Sequence, residues 1–275
     1  MHSVTANGAQ IPALGFGTFR MPGPDILRVL PKALELGFRH VDTAQIYGNE
    51  AEVGQAISGS GIARADIFLT TKVWVDKFAK ADFAASVDES LKKLKTDYVD
   101  LLLLHWPQSD VPLGERMESL NAVHKAGKVR NIGISNFNIA MMEEAAKLSD
   151  APVATNQVEF HPYLDQSKLL EAARAKGISL TAYYLMADGK VPNDPLLKEI
   201  GARHGKTAAQ VTLRWAVQQE GVIALSKTAT ESRLAENHDI FDFELSDDDM
   251  AAIKGLARPD GRIVNPGHLR PPHWD

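Results

Sequence analysis

The chain contains no cysteine. That excludes disulfides, thiolate nucleophiles and cysteine-bound metals, and makes a reducing cytoplasm the natural setting. It also lacks a Gly-x-Gly-x-x-Gly turn after an early strand; this removes a Rossmann reading without excluding a nucleotide held in another way. No apolar run approaches the length of a membrane span, and residues 1–8 lack the basic start and apolar stretch of a signal peptide. Positive charge is scarce as well. Lys and Arg number 30 against 35 Asp and Glu, a net charge of −5 that argues against general nucleic-acid binding.

What is present is an ordinary globular composition over 275 residues, 44% hydrophobic and 24% charged, enough for a sizeable core without covalent staples. Apolar segments of strand length fall at 11–19, 38–41, 67–74, 98–107, 129–136, 154–158, 178–183 and 222–225. The run at 98–107 is apolar through most of its length, as a strand buried on both faces must be. Between them lie helical patterns at 25–36, 50–58, 80–94, 113–125, 139–148 and 166–176, then a pair at 196–204 and 208–219, the latter introduced by Thr207 as N-cap. Eight strand–helix alternations without a linker-like break predict an α/β fold, a closed (β/α)8 barrel occupying 1–275 as one domain. Gly15 and Gly17 in the first strand mark places where backbone must come close to something. Pro259, Pro266, Pro271 and Pro272 make the tail after Arg258 a loop, expected to cross one barrel mouth.

A barrel concentrates chemistry at the C-terminal ends of its strands. There the polar residues are Asp42, Lys72, His105, Ser135, Asn136, Gln157, Glu159 and Tyr183, and Tyr47 follows Asp42 in the loop before the next helix. Period-two alternation puts His40 and Asp42 on one face and Val41 on the other. A lysine ending an apolar strand needs an anion, and Asp42 on the neighbouring strand is placed to provide it. A cation beside a phenol favours the phenolate, so Lys72 is expected to lower the pKa of Tyr47 from roughly 10 towards neutrality and make it a usable proton donor. His105 would give a second hydrogen bond to the same ligand oxygen. Taken alone, Asp42 could equally anchor its own loop and Tyr47 could simply pack. A metal site from His40, Asp42, His105 and His161 is disfavoured by the Lys72 charge.

The motifs Asp42-Thr43-Ala44 with Tyr47-Gly48-Asn49-Glu50, Thr71-Lys72 with Trp74, Leu104-His105-Trp106-Pro107, Ile132-Gly133-Ile134-Ser135-Asn136-Phe137 and Asn156-Gln157 run in order over nearly the whole chain. This series resembles the aldo-keto reductase superfamily, most closely the short bacterial branch that includes 2,5-diketo-D-gluconate reductases, some of which also reduce methylglyoxal. The resemblance implies NADPH-dependent reduction of a carbonyl to an alcohol. Tyr47 would be the general acid, tuned by Lys72 and Asp42, and His105 would orient the carbonyl. Ser135, Asn136 and Gln157 would hold the nicotinamide carboxamide and Tyr183 would stack on its ring, with Gly17, Thr18 and Asp42 alongside. Lys227, Thr228 and Arg233 would meet a 2′-phosphate, and Glu236 and Asn237 the adenine. As alternatives, Ser135-Asn136 would only cap the next helix, Tyr183 would be core, and Lys227 and Arg233 would be solvated surface charge. Trp74 and Trp106, with Tyr47 and His105, would contact substrate; Phe19, Trp274, Ile46 and residues 265–270 are further candidates for the mouth. One departure stands out. Where the family commonly has Ser-Pro-Leu-Gly after Tyr183, this chain has Tyr184-Leu185-Met186-Ala187-Asp188, which puts the pyrophosphate contacts in doubt. A small carbonyl substrate and a monomer are expected, with neither nucleic acid nor membrane as partner. A cofactor-binding sensor with little turnover is the rival reading.

Overall fold

In a computed structural model that describes residues 2–269 and 271–275, the eight predicted strands close into a barrel. They are β3 (Leu14–Gly17), β4 (His40–Asp42), β5 (Phe68–Val73), β6 (Val99–Leu104), β7 (Val129–Ser135), β8 (Val153–Glu159), β9 (Ser179–Tyr183) and β10 (Val222–Ser226). All are parallel and each pairs with its sequence neighbour, β10 returning to β3. The helices that return the chain to the start of each next strand are α1 (Gly23–Glu35), α2 (Glu50–Ser58), α3 (Lys80–Leu94), α4 (Leu113–Lys125), α5 (Ile139–Leu148), α6 (Ser167–Ala175) and the pair α7 (Pro195–His204) and α8 (Ala208–Gln218).

Alternation along the strands divides the core in two. In β6, Leu102 and Leu104 pack outward against the helices, whereas Leu101 and Leu103 fill the barrel interior. Strands covered on both faces have no solvent face to mark with polar residues, which is why this run is continuously apolar. The interior is tight. A Cβ on Gly133 would come within 2.6 Å of Leu103 Cδ2, and one on Gly15 within 2.7 Å of His40 Nδ1, so Gly15 is a close-approach glycine as expected. A Cβ on Gly17 would meet nothing nearer than 3.8 Å; no group of the protein requires glycine there.

The segment 11–19 is not one strand. It divides at Pro12, which has no N–H for a ladder. Ala9–Pro12 is β2 of an antiparallel hairpin with β1 (Ser3–Ala6), and only Leu14–Gly17 enters the barrel. Ala9 and Ile11 from the hairpin pack on Leu101, Leu103, Ala154 and Ile223, closing the barrel at the N-terminal ends of its strands. Two further helices follow β10, α9 (Ser232–His238) and α10 (Asp247–Lys254), neither of them anticipated. Thr207 caps α8 in a full capping box with Gln210.

The tail lies at the C-terminal mouth, with a 3-10 turn at Gly267–Leu269. Its two ends are tied down. Glu159 at the end of β8 accepts from the backbone N–H of Ile263 (2.7 Å) and Val264 (3.0 Å). At the other end Asn138 donates to the His273 carbonyl, and the Asp275 carboxylate takes the free N–H of Ile139 at the start of α5. Arg270, one of the residues expected near the mouth, lies outside the described residues. Among the described residues no helix is long and apolar enough to cross a membrane.

Candidate active site

β4 and β5 bring together the two charges that the sequence pattern paired. Lys72 is fully buried, and its ammonium uses all three donors: Asp42 Oδ1 at 2.6 Å, the Thr43 carbonyl at 2.8 Å and Tyr47 Oη at 3.3 Å. The other Asp42 oxygen accepts from Gln157 Nε2 at 2.7 Å, across the barrel from β8. Both carboxylate oxygens are therefore satisfied, which is the condition for keeping an ion pair in a dry interior. Because Lys72 donates to Tyr47, the tyrosine's own proton is free to point at a ligand.

The electrostatics correct one expectation. Burial lowers the Lys72 pKa, and Asp42 opposes that. The Tyr47 phenol, however, is held well above its usual value, by burial first and by the Asp42 charge second. Burial and the Asp42 charge set the direction despite the ammonium 3.3 Å from the phenol oxygen. Tyr47 itself is half-buried. The site holds a protonated phenol at neutral pH.

His105 follows β6 directly, with its ring 5.6 Å from that of Tyr47 and 5.1 Å from that of Trp74, both edge-on. Burial and the nearby Lys72 charge keep its pKa well below the ordinary 6.5. The imidazole is thus neutral near pH 7. Its Nδ1 is buried without a partner, leaving Nε2 as the nitrogen open to a ligand. Trp74 is half-buried, its backbone N–H taken by Gln45, while Trp106 is only 5% exposed and belongs mostly to the core. Phe19 and Ile46 are exposed at the rim, and the Phe19 ring lies 5.0 Å from that of Tyr47, tilted by 48°. Trp274 lies in the tail over Arg262, 3.8 Å from its guanidinium carbon.

The polar residues ending β7, β8 and β9 do meet, but largely bond one another. Ser135 Oγ donates to the Gln157 carbonyl (2.8 Å), Asn136 Nδ2 donates to the His105 carbonyl (3.0 Å), and Tyr183 donates to Asn136 Oδ1 (2.6 Å). Asn136 adopts the left-handed conformation (φ 66°), which asparagine tolerates better than most residues. Gln157 Oε1 has no protein donor among the described residues. Thr18 Oγ1 and its backbone N–H both donate to the Asp42 carbonyl, and its own carbonyl accepts from Met21 and Asn49, so Thr18 keeps no donor for a ligand. Tyr183 keeps a half-buried ring at the mouth.

Further round, Lys227 and Arg233 are exposed, and neither is ion-paired among the described residues. Thr228 Oγ1 turns inward to the Thr230 carbonyl, Glu236 accepts from Thr207, and Asn237 is buried. Glu231, by contrast, is clamped by Arg28 (3.0 Å) and Lys32 of α1; two cations from a distant helix left no trace in the local pattern. The unusual loop after β9 carries left-handed backbone at Tyr184 (φ 65°), Ala187 (φ 46°) and Asp188 (φ 55°), with the Tyr184 hydroxyl on the Asp188 carboxylate. Asp188 is thereby engaged rather than free beside the expected pyrophosphate position.

Sequence reasoning missed the support beneath the site. Gln45 binds Ser86 and Ser90 of α3 and the Trp74 N–H, and Asn49 ties Thr43 to the carbonyls of Thr18 and Met21. Both residues lie in the motif around Tyr47, but their partners are on other elements. His40 and His161 are also committed, to Thr70 and Glu159. A separate cavity of about 420 Å³ lies at the opposite end of the barrel, lined by Ser3, Thr5, Arg174, Ser179 and Glu220. It is remote from Lys72 and Tyr47.

Comparison with known proteins bears on this geometry. The sequence profile of the Aldo/keto reductase family matches residues 13–258. The chain is 44% identical over 268 residues to the Methylglyoxal reductase DkgB of Salmonella typhimurium, covering 96% of this chain and 99% of that protein. It is 39% identical over 264 residues to the Glyoxal reductase of Bacillus subtilis, covering 96% and 95%. Among solved structures, a putative 2,5-diketo-D-gluconic acid reductase B superposes with a TM-score of 0.99 at 72% identity, over 100% of this chain and 98% of that one.

Proposed function

Since the chain belongs to the aldo/keto reductase family, whose members reduce carbonyl groups with a nicotinamide cofactor, we propose that it reduces a small polar aldehyde or ketone to the alcohol with NADPH. The reading takes 1–275 as one reductase domain, acting as a cytoplasmic monomer. The observation that carries it is the buried chain Gln157–Asp42–Lys72–Tyr47, which ends on a phenolic proton with His105 beside it.

The residues present suit NADPH. Tyr183 offers a ring face, Gln157 Oε1 an unpaired acceptor for a carboxamide, Gly17 an unobstructed backbone, and Lys227 and Arg233 unpaired cations for a 2′-phosphate. The hydride is what NADPH contributes when bound. The chain's own groups orient the carbonyl and manage the proton. Neutral His105 donates from Nε2 to the carbonyl oxygen and so polarises it. As negative charge develops there, Tyr47 gives up its proton, and the phenolate left behind sits 3.3 Å from the Lys72 ammonium. Asp42 keeps that ammonium protonated against the cost of burial. The pKa of Tyr47 is high in the resting protein, so the proton is retained until a stronger base, the nascent alkoxide, forms beside it.

The test is loss of reduced-nicotinamide absorbance with methylglyoxal, glyoxal or 2,5-diketo-D-gluconate, using NADPH and NADH in parallel. NADPH oxidation well above NADH is the expected result. Tyr47→Phe should lose more than about 100-fold in kcat while binding NADPH as the parent does; unchanged turnover would remove Tyr47 from the acid role. Binding of NADPH without oxidation of any of these carbonyls would favour a sensor instead.

A further inference from the structure

Behind the proton donor, on the outer side of β5, lies a buried carboxylate that the proposed reduction does not use. Glu50 is the first residue of α2, three positions after Tyr47. It accepts from Thr71 Oγ1 at 2.6 Å and from Ser90 Oγ of α3 at 3.3 Å. Thr71 precedes Lys72, and successive side chains of a strand alternate, so the lysine points into the barrel while Thr71 points out to Glu50. Ser90 in turn accepts from Gln45 Nε2 (3.1 Å). That amide cannot turn round, because its Nε2 also meets the Ser86 carbonyl (3.1 Å) and its Oε1 takes the Trp74 N–H (3.0 Å). Ser90 therefore sends its own proton to Glu50, which ends the chain purely as an acceptor, as an ionised carboxylate does. One side chain thus joins the strand end that carries Lys72, the 3-10 turn Gln45–Tyr47 and, through Gln45, the backbone of Trp74. Stability alone does not account for the choice of residue. Glu50 is 2% exposed, and among the described residues it has no cation within ion-pair distance; Lys93, whose charge reaches it, is engaged by Glu89 at 2.7 Å. Burying a charge without a counter-ion is costly, and a neutral amide of the same shape would cost less. A residue that destabilises the fold while bracing its reacting groups is retained for activity.

We propose that Glu50 is a positioning residue for proton transfer: as a carboxylate it locks the Tyr47 turn to the Lys72 strand end, so that Oη and Nζ keep their 3.3 Å approach through the reaction. The inference rests on the reductase reading above and adds a residue that acts through Tyr47 and Lys72 from behind the strand. Small displacements of a proton donor are expensive in rate, which is why a brace on its far side matters. The charge of Glu50 also reaches Lys72, where it favours the ammonium form. The competing role is purely structural, with Glu50 as one more tie between α2, β5 and α3.

The two roles part at Glu50→Gln. The variant removes the buried charge, so its thermal midpoint should rise near neutral pH. Its kcat for methylglyoxal or glyoxal with NADPH should nevertheless fall roughly 10- to 100-fold, with KM and NADPH affinity changed less than about threefold. Hydrogen exchange should quicken at the backbone N–H groups of Tyr47 and Trp74 while the rest of the barrel exchanges no faster. Glu50→Asp, with the charge but a shorter reach, should fall between in kcat. Thr71→Val should lower kcat in the same way, and combining it with Glu50→Gln should add little, because the two act through one link. A parent-like kcat in Glu50→Gln, a kcat that simply follows the thermal midpoint across the set, or unchanged exchange at Tyr47 and Trp74 would overturn the assignment and leave Glu50 as a tie between elements. If the parent reduces neither carbonyl with either nicotinamide cofactor, the reductase reading fails first; faster exchange in Glu50→Gln would then reveal a brace with no reaction to serve, and this inference fails with it.

Discussion

Glu50 shows how much a single side chain can hold in reserve. It is 2% exposed and accepts from the hydroxyls of Thr71 (2.6 Å) and Ser90 (3.3 Å), but among the described residues it has no cation within ion-pair distance. Burial raises its pKa. The folded protein therefore binds a proton that the unfolded chain would have lost, and stability falls as pH rises from the ordinary glutamate range through the raised value. Glu50→Gln should raise the thermal midpoint by a few degrees near neutral pH and leave it almost unchanged near about pH 4, as calorimetry at the two pH values would show. Asp42 is the opposite case. Its removal strands the Lys72 ammonium in the barrel, so Asp42→Ala should cost roughly 3–5 kcal/mol in denaturant unfolding. Tyr47 and His105 should not titrate in their ordinary ranges. The phenol is held above its usual value and the imidazole below its own. Accordingly, kcat/KM should not fall through the ordinary histidine range near about pH 6.5, and the ultraviolet difference between wild type and Tyr47→Phe should show no phenolate up to about pH 10. A drop in kcat/KM at that histidine value would mean that His105 is exposed to ordinary solvation.

At the scale of elements, the barrel wall leaves little slack. Gly133 of β7 faces Leu103 Cδ2 at 2.6 Å and the Thr155 carbonyl at 2.8 Å from where a Cβ would stand. The second neighbour is backbone and cannot rotate away. Gly133→Ala should therefore destabilise by about 1–3 kcal/mol in chemical denaturation, whereas Gly17→Ala, with nothing nearer than 3.8 Å, should fold as well as the parent. The ends of elements were harder to read than their middles. Pro12 marked a break that apolar content alone concealed. α9 and α10 are short helices of mixed polarity, and the capping box of α10, Ser246 with Asp249, was the one local signal that could have located it. The tail was legible as irregular from its prolines, but not where it docks, because Glu159 lies 104 residues from Ile263 in the chain.

For the whole molecule, the cofactor proposal spans two ends of one mouth, with proton chemistry at β4–β6 and unpaired cations after β10. Lys227→Ala combined with Arg233→Ala should weaken NADPH by 10-fold or more while changing NADH little, measured by fluorescence quenching; equal losses would place the 2′-phosphate elsewhere. Strand number, the alternation with helices and the residues at each strand end follow from local patterns: period two, period 3.6, caps and glycines act over a few residues, so the sequence displays them directly. It likewise brought Asp42, Tyr47, Lys72 and His105 into one candidate set, because parallel strands align their C-terminal ends. Only the closed barrel decided what those groups feel. Asp42 is shared between Lys72 and Gln157, the latter 115 residues away, and burial together with the Asp42 charge raises the Tyr47 phenol. The docking of the tail could not be read until residues 263 and 264 were seen tied to Glu159. Desolvation and charge cancellation depend on every neighbour in three dimensions, and no spacing along the chain encodes them.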